Sequence, residues 1–306
     1  KNILLLNNDA VVEQNAIENA LHTLQSDSEI GAVGAKIKFL DGRLQEAGSI
    51  IWSDGYCLGY GRNESADDPE FNFFRDVDYC SGAFLLFSRE DFEALEGFDE
   101  QFSPAYYEES DFCIRLRQSG KKIVYCPDAQ ITHYEFASSG GFDSATELQI
   151  AHRKLLLKKH EEFLCRQHEK NPSNILAARS ANDFPNILII DDQVPYPLLG
   201  AGYPRCNYIL TKLSKFPLNI SFYPLQFPHD NWDNLYQTIP KNVEVIVDKG
   251  LSGLAEFLIS RKGFYDFVMV SRIHNMEIVD KLMTSTPNFL GNARLIYDAE
   301  AVTSPR

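Results

Sequence analysis

Short apolar runs alternate with polar turns through the first half of the chain. Residues 1–6 predict a buried strand that ends in the polar turn 7–9, and apolar positions three and four residues apart in 12–24 predict a helix. Further strands are predicted at 33–39, 48–52, 77–87, 122–125 and 130–133, and further helices at 89–95, 109–119 and 145–167.

After residue 185 strands and helices alternate regularly. Strands are predicted at 186–190, 219–223, 243–247, 266–270 and 293–297, and helices at 205–215, 251–261 and 275–283. This alternation predicts a parallel sheet with right-handed crossovers, as in Rossmann-type α/β domains. Because 169–184 is polar and aperiodic, we predict two domains, 1–168 and 185–306, with 169–184 as the linker.

Composition fits two soluble domains. Of 306 residues, 44% are hydrophobic, and the net charge of −14 argues against a general nucleic-acid binder, which needs a basic surface. No apolar run approaches the roughly 18 residues of a membrane span. Six cysteines without CxxC spacing indicate free, mostly buried thiols and a cytoplasmic location. Because the chain starts with Lys1, directly before an apolar run, and stops at Arg306, we expect a fragment of a longer polypeptide.

The polar turn after the first strand is the first candidate site. Asn7, Asn8 and Asp9 follow the strand directly, and such residues often form ordinary turns or cap helices. Alternatively, Asp9 supplies an oxygen ligand to Mg²⁺ or Mn²⁺ at the carboxyl end of a strand, where open α/β sheets bind ligands.

Three carboxylates crowd the predicted start of the helix 109–119. Asp111 is explained by the helix dipole, whereas Glu108 and Glu109 precede the first turn and follow two tyrosines. Crowded carboxylates in apolar surroundings have raised pKa values, which suits a general base that deprotonates a hydroxyl group. A purely structural cluster remains the alternative.

Histidines give a weaker signal. His133 ends a predicted strand and is either structural or a metal ligand. His152, His160 and His168 fall on or near a charged helix, and we expect them to be solvated.

Seven motifs occur in a characteristic order over residues 1 to about 160. They are LLNND at 5–9, GAVG at 31–34, DGRLQEAG at 41–48, SGAF at 81–84, EGFDE at 96–100, YEESDFCIRL at 107–116 and PDAQITH at 127–133. In these motifs the chain resembles the family 2 glycosyltransferases of the GT-A fold, close to rhamnosyltransferase-like bacterial members.

The resemblance implies roles for individual residues. Asn7-Asn8-Asp9 falls at the family's DxD motif, so that Asp9 would bind the divalent ion and Asn7 and Asn8 would lie at the donor. His133 falls at a further metal ligand, and Glu109 at the acceptor base of inverting enzymes, with Glu108 and Asp111 beside it. The remaining implied residues line the donor and acceptor pocket: Ser81, Gly82, Ala83 and Arg115. The family's nucleotide-binding strands would precede residue 1.

The second domain resembles, more loosely, the N-terminal half of a GT-B glycosyltransferase. The resemblance rests on the strand 186–190, the loop 197–202 with its helix, and the segments 265–272 and 297–298. It implies a Rossmann-like half domain whose partner half would follow residue 306. The loop could approach a phosphate, but Arg205 stands where a dinucleotide fingerprint needs glycine.

The predicted function is therefore metal-dependent, inverting transfer of a sugar from a UDP-, GDP- or dTDP-sugar to a glycan or lipid-linked acceptor in polysaccharide biosynthesis. We expect no nucleic-acid partner and a cytoplasmic location, either free or peripherally at the inner face of the membrane through the acceptor. The fragment alone would be weakly active or inactive. The alternatives are a non-catalytic scaffold or glycan-binding module and, for the second domain, a nucleotide-sugar epimerase or dehydrogenase, against which the missing GxGxxG weighs.

Overall fold

The computed structural model forms two compact units, Lys1–Asn182 and Asp183–Arg306. It describes residues 1–134, 142–200, 202–227, 230–286 and 288–299, with the side chains of 142–145 excepted. Each unit is described separately below.

A mixed sheet of seven strands forms the centre of the first unit. Its path is β1-β8-β3-β9-β2, with β4 added beside β3 and β7 beside β9, while β5 and β6 pair with each other. The strands are β1 (Asn2–Leu6), β2 (Ala10–Val12), β3 (Ile30–Lys38), β4 (Leu44–Ala47), β5 (Ser49–Ile51), β6 (Cys57–Gly59), β7 (Arg75–Asp76), β8 (Phe84–Ser88) and β9 (Lys122–His133).

Helices cover both faces of this sheet. They are α1 (Ala16–Ser26), α2 (Arg89–Ala94), α3 (Glu108–Gln118), α4 (Phe142–Lys159), α5 (Glu161–Leu164) and α6 (Ile175–Ala178). On one face, Ala20 and Leu24 of α1 pack against Val33 and Ile37 of β3. On the other, α3 and α4 bury Phe112 and Leu156 in a second, larger cluster. The sheet is therefore a rigid platform for its strand ends.

Several predicted boundaries in this unit are wrong: the strand predicted at 77–87 begins only at Phe84, and the helix predicted at 145–167 ends at Lys159. Val12 belongs to β2 rather than to a helix, because it pairs with Ile131, and the helix starts only at Ala16. The segments 122–125 and 130–133 form one strand, β9, with an irregularity in its register against β3. Hydrophobic spacing alone does not reveal such pairing.

The segment predicted as a linker contributes to the first unit. Residues Pro172–Asn174 form a 3₁₀ turn, α6 follows, and Ala178 is buried in the same cluster as Phe112. The backbone N–H of Ala181 donates to the carbonyl of Asp76 over 2.9 Å. Packing around residue 178 thus carries this unit beyond residue 168.

The second unit contains the parallel sheet expected from the alternating pattern. Five strands run in the order β12-β11-β10-β13-β14, and every neighbouring pair is parallel. The strands are β10 (Asn186–Asp191), β11 (Asn219–Pro224), β12 (Val243–Val245), β13 (Phe267–Ser271) and β14 (Arg294–Asp298); the helices are α7 (Tyr203–Leu213), α8 (Trp232–Leu235), α9 (Gly250–Ser260) and α10 (Ile273–Ser285).

Alternate residues of β10 enter the two cores of this unit. Ile187 and Ile189 pack with Leu210 of α7, whereas Leu188 and Ile190 pack with residues of α9 and α10. A strand buried on both faces explains the continuous apolar run at 187–190. None of the helices described in either unit has the length and apolar character needed to cross a bilayer.

Candidate active site

The turn after β1 and the end of β9 meet at one edge of the first sheet. Strand β2 pairs antiparallel with β9, and Ala10 lies opposite His133. This register brings Asp9 to His133, so that the Asp9 Oδ1 and His133 Nε2 atoms are 3.1 Å apart. The two predicted metal ligands, which are distant in the sequence, are therefore neighbours.

His133 is only 7% exposed, and both of its ring nitrogens lie within hydrogen-bond distance of other side chains. Its Nδ1 lies 3.1 Å from the Gln45 Oε1 of β4, while its Nε2 lies 3.1 Å from the Asn7 Nδ2 as well as facing Asp9. An amide oxygen only accepts, so the contact with Gln45 is a hydrogen bond when His133 carries a proton on Nδ1. The Nε2 lone pair then points toward Asn7 and Asp9.

The loop Ser81-Gly82-Ala83 connects this pair to the acidic cluster. The Asn7 N–H donates to the Ala83 carbonyl over 3.2 Å. On the other side, a Cβ atom built on Gly82 would lie 4.0 Å from the Cβ of Glu109. The loop therefore lies between Asn7 and Glu109, and a larger residue at Gly82 would narrow the space beside the carboxylate.

Glu108 and Glu109 form the first turn of α3 and each has one buried carboxylate oxygen without a hydrogen-bond partner. Burial, reinforced by the negative charges of Glu108 and Glu46, raises the pKa of Glu109 to about 8. Burial also raises the pKa of Glu108. With a pKa of about 8 Glu109 binds a proton near neutral pH, and one oxygen of its carboxylate has no hydrogen-bond partner, which suits proton transfer.

The backbone that presents these carboxylates is strained. Tyr106 and Tyr107 both have positive φ, 73° and 74°, which is unfavourable for side chains other than glycine and asparagine. The Nδ1–H of His152 on α4 donates to the Tyr106 carbonyl over 2.9 Å and supports this conformation. Strain of this kind concentrates at functional sites.

Asp111 and Arg115, two further predicted site residues, make contacts typical of a structural role. The Asp111 carboxylate is fully buried and accepts from His160 Nε2 at 2.7 Å and Arg115 Nε at 2.8 Å, while Lys159 Nζ is 2.6 Å away. Burial raises the pKa of Asp111, but these hydrogen bonds outweigh it and lower the pKa overall. Its charge is thus committed to holding α3 against α4 and α5.

The Arg115 side chain also makes structural hydrogen bonds. Besides Asp111, its guanidinium donates to the carbonyls of Leu95 and Gly97, at 2.7 and 2.8 Å. These contacts lock α3 to the end of α2. The donor and acceptor roles implied for Arg115 and for Asn8 stay predictions, as do those of the other site residues.

The expectation of solvated histidines on the long helix is wrong for His152 and His160, which are 6% and 4% exposed. Both rings face the start of α3, His152 through Tyr106 and His160 through Asp111. The charged sequence around them concealed this, because lysine and glutamate cover the opposite face of α4.

Sequence reasoning assigned no role to Gln45 and Glu46 in β4. Glu46 is 7% exposed and accepts from the Ser81 N–H over 3.0 Å, and burial raises the pKa of Glu46 to about 7. Neighbouring residues of one strand thus support both halves of the site, Gln45 at His133 and Glu46 at the loop. The only signal was two adjacent polar residues between Leu44 and Ala47.

A divalent cation fits the Asp9 and His133 pair by its donor chemistry. With Nδ1 protonated, the His133 Nε2 and the Asp9 Oδ1 are both electron-pair donors 3.1 Å apart, and a cation between them would remove their repulsion. Ligands about 2.1 Å from an octahedral ion are roughly 3 Å apart. Among the described residues no group of three or more His, Cys, Asp or Glu side chains could hold a metal, so that other oxygen ligands would have to complete the shell.

The corresponding edge of the second unit is closed by ion pairs. Arg272, with φ of 73°, donates through Nε to Asp191 Oδ1 over 2.7 Å, and Arg205 binds both oxygens of Asp298 at 2.6 and 2.8 Å. In the loop 197–202, Pro197–Leu199 forms a 3₁₀ turn, while Ala201 lies outside the described residues.

The first unit is thus a mixed α/β domain in which Asp9 and His133 meet at one edge of the sheet, beside a loop that leads to the buried, high-pKa carboxylate of Glu109. Residues 1–151 match the family model described as "Glycosyltransferase like family 2". This part of the chain is therefore a family 2 glycosyltransferase domain, and the sequence prediction of a glycosyltransferase is confirmed at this level.

Named relatives agree with this assignment. A rhamnosyltransferase, WbbL of Escherichia coli, is 33% identical over 25% of this chain, and the N-acetylglucosaminyl-diphospho-decaprenol L-rhamnosyltransferase of Mycobacterium tuberculosis is 35% identical over 38%. The O-antigen biosynthesis protein RfbC of Myxococcus xanthus is 29% identical over 44%. The chain covers only 29%, 33% and 11% of the lengths of these three proteins.

Among solved structures, the crystal structure of GalNAc-T7 with UDP, GalNAc and Mn²⁺ is a distant match. It is 12% identical, with a TM-score of 0.40, over 53% of this chain and 33% of the other. A likeness of this size is too weak to transfer a fold or a ligand.

Proposed function

We propose that the first unit transfers a sugar from a nucleotide-sugar donor to a glycan or lipid-linked acceptor with inversion at the anomeric carbon. The observation that carries the proposal is the meeting of Asp9 and His133, 3.1 Å apart, beside the loop that leads to Glu109. In this proposal the first unit belongs to a GT-A domain, and residues 185–306 form a Rossmann-like half domain of the GT-B type.

Asp9 and His133 would hold the divalent cation. When bound, it supplies positive charge that stabilises the leaving diphosphate. A carboxylate and an imidazole nitrogen together favour Mn²⁺ over Mg²⁺, because Mg²⁺ prefers an all-oxygen shell. Asn7 and Asn8, on the same turn, would contact the donor.

Glu109 would act as the general base. Its carboxylate takes the proton of the acceptor hydroxyl group as that oxygen forms a bond to the anomeric carbon. The bond between the anomeric carbon and the diphosphate oxygen breaks, and the diphosphate leaves with the electron pair. Because the nucleophile attacks from the side opposite the leaving group, one displacement inverts the anomeric configuration.

The names of the relatives suggest the first donors and acceptors to try. Two of them are rhamnosyltransferases, and one name specifies an N-acetylglucosaminyl-diphospho lipid. We therefore propose nucleotide-activated L-rhamnose as the donor and a polyprenyl-diphosphate glycan as the acceptor. Such an acceptor would bring the protein to the inner face of the membrane.

The test measures donor binding and transfer with a panel of UDP-, GDP- and dTDP-sugars, with and without Mn²⁺. We expect Mn²⁺-dependent binding, and Glu109→Gln should keep binding but lower kcat by about 10²- to 10⁴-fold. Glu18→Gln, on the exposed face of α1, is the matched control. Full turnover of Glu109→Gln, or no binding of any sugar nucleotide, would rule the proposal out.

A further inference from the structure

Gln45 is a buried polar residue for which the reaction above has no use. It lies in β4, every residue of which is buried, and β4 pairs with the central strand β3. Its side chain is 7% exposed, and its Oε1 is 3.1 Å from the Nδ1 of His133, 88 residues away. A buried amide placed against one imidazole nitrogen constrains the other.

A neutral imidazole carries one proton, on either Nδ1 or Nε2. Because the Gln45 Oε1 accepts and cannot donate, the proton of His133 is favoured on Nδ1. The Nε2 atom then presents its lone pair toward Asp9 Oδ1 and receives the Asn7 Nδ2–H, each 3.1 Å away. In the other tautomer the Nε2–H would face Asp9 Oδ1, but two acceptors would meet at Nδ1 and two donors, Nε2–H and the Asn7 Nδ2–H, would meet at Nε2. Two mismatched contacts in a buried site cost more than one.

We infer that Gln45 is a positioning residue that fixes His133 as the Nδ1–H tautomer, with Nε2 directed into the space beside Asp9. The inference rests on the proposed function only for what Nε2 then binds. Hydrogen bonds from the second nitrogen of a ligating histidine set ring orientation and ligand basicity, and their loss typically lowers metal affinity by about 10- to 100-fold.

The rigid anchoring of β4 makes Gln45 suitable for this role. Glu46, the next residue, accepts from the Ser81 N–H on the loop beside Glu109, and Lys36 of β3 lies opposite Ala47. A shift of the Gln45 backbone would have to move β4 against β3. The acceptor for His133 is thus a side chain on a fixed strand rather than on a loop.

The decisive measurement is the tautomer of His133 in the metal-free protein, from long-range ¹H–¹⁵N spectra of protein with labelled histidines. The signals of the seven histidines are assigned with a His133→Gln variant. We expect Nδ1–H for the wild-type protein and for Gln45→Glu, which keeps an acceptor. Gln45→Met removes the acceptor at similar volume and should give a mixture of tautomers.

Gln25→Met, on an exposed position of α1, is the matched control and should leave the His133 signal unchanged. A wild-type protein with His133 as the Nε2–H tautomer would overturn the inference without any variant, as would a Gln45→Met protein that folds and keeps pure Nδ1–H. Thermal unfolding of each variant identifies those that do not fold.

Titration with Mn²⁺ alone, followed by electron paramagnetic resonance, separates this inference from the proposed function. We expect Gln45→Met to weaken Mn²⁺ binding by about 10- to 100-fold and Gln45→Glu to restore it. If the wild-type protein binds no Mn²⁺, the proposed metal site fails, while the tautomer spectra still decide the role of Gln45.

Discussion

Asp9 and His133 are separated by 124 positions in the chain, yet the Asp9 Oδ1 and His133 Nε2 atoms are 3.1 Å apart. The pairing of Ala10 with His133 between β2 and β9 produces this contact. Asp9 therefore owes its position to the register of a three-residue strand, and a change in that register would separate the two side chains.

Asn7 should control the affinity for the cation. Its Nδ2 donates toward the His133 Nε2, so that Asn7→Asp would replace a donor by a second carboxylate ligand. We expect Mn²⁺ to bind about tenfold more tightly, roughly 1.4 kcal/mol. Isothermal titration with Mn²⁺ measures the change. Asn171→Asp, at an exposed 3₁₀ cap, adds the same charge elsewhere and should have no effect.

The pH dependence of transfer should follow Glu109. A base with a pKa of about 8 is ionised only as the pH rises through that value, so that kcat/KM should rise up to about pH 8 and then level off. Since the charge of Glu108 raises the pKa of Glu109, Glu108→Gln should move the rise to lower pH. An unshifted profile in Glu108→Gln, measured beside Glu18→Gln, would contradict this coupling.

Glu109 should also make the protein less stable at high pH. Its pKa in the folded protein, about 8, lies above the ordinary value of 4.5, so that the folded state binds more protons between these limits and loses stability as pH rises through them. Glu109→Gln removes this loss. We expect the variant and the wild-type protein to melt at the same temperature at pH 4.5, and the variant to melt at a higher temperature at pH 9. At pH 9 the free energy of unfolding of the variant should be about 2 kcal/mol larger, after allowance for partial exposure of Glu109. If the variant and the wild-type protein differed in stability by the same amount at pH 4.5 and pH 9, the Glu109 carboxylate would not be buried as a charge.

The charge of Asp111, unlike that of Glu109, should stabilise the folded protein. Asp111→Asn leaves Arg115 and Lys159 without their buried partner, which costs about 3–5 kcal/mol. Chemical denaturation at pH 7 measures the loss. Asp233→Asn, in the second unit at an acidic first turn, serves as a control for the chemistry of the change. A stable Asp111→Asn protein with reduced turnover would instead support the catalytic role implied by the sequence motif.

Local chemistry explains which parts of the fold were predictable. Strand β1 and helix α2 are continuous patterns of apolar positions with clear polar ends, and the structure confirms both. The start of α1 was predicted too early, because Val12 is apolar in either structure and only its pairing with Ile131 assigns it to a strand. Similarly, β9 was divided at Pro127, although neighbouring strands hold it together.

The candidate site, like the fold, could be predicted only in part from the sequence. Asp9, Glu109 and His133 could be selected from residue type, element ends and motif order. The partners that define their chemistry could not: Gln45 at His133, Glu46 at the Ser81 loop, and His160 at Asp111 each come from a distant segment. The charged sequence around His160 even led to the prediction that it is solvated.

By itself, the sequence determined that the chain forms α/β units, that the second contains a parallel sheet, and which residue types are available for group transfer. These properties depend on the spacing of neighbouring residues, which the chain carries directly. Only the tertiary structure decided that Asp9 meets His133, that one buried oxygen of Glu109 has no hydrogen-bond partner while the Asp111 carboxylate has three partners, and that Gln45 lies against the imidazole. Such relationships depend on strand register and burial, because both bring together residues that the sequence keeps far apart.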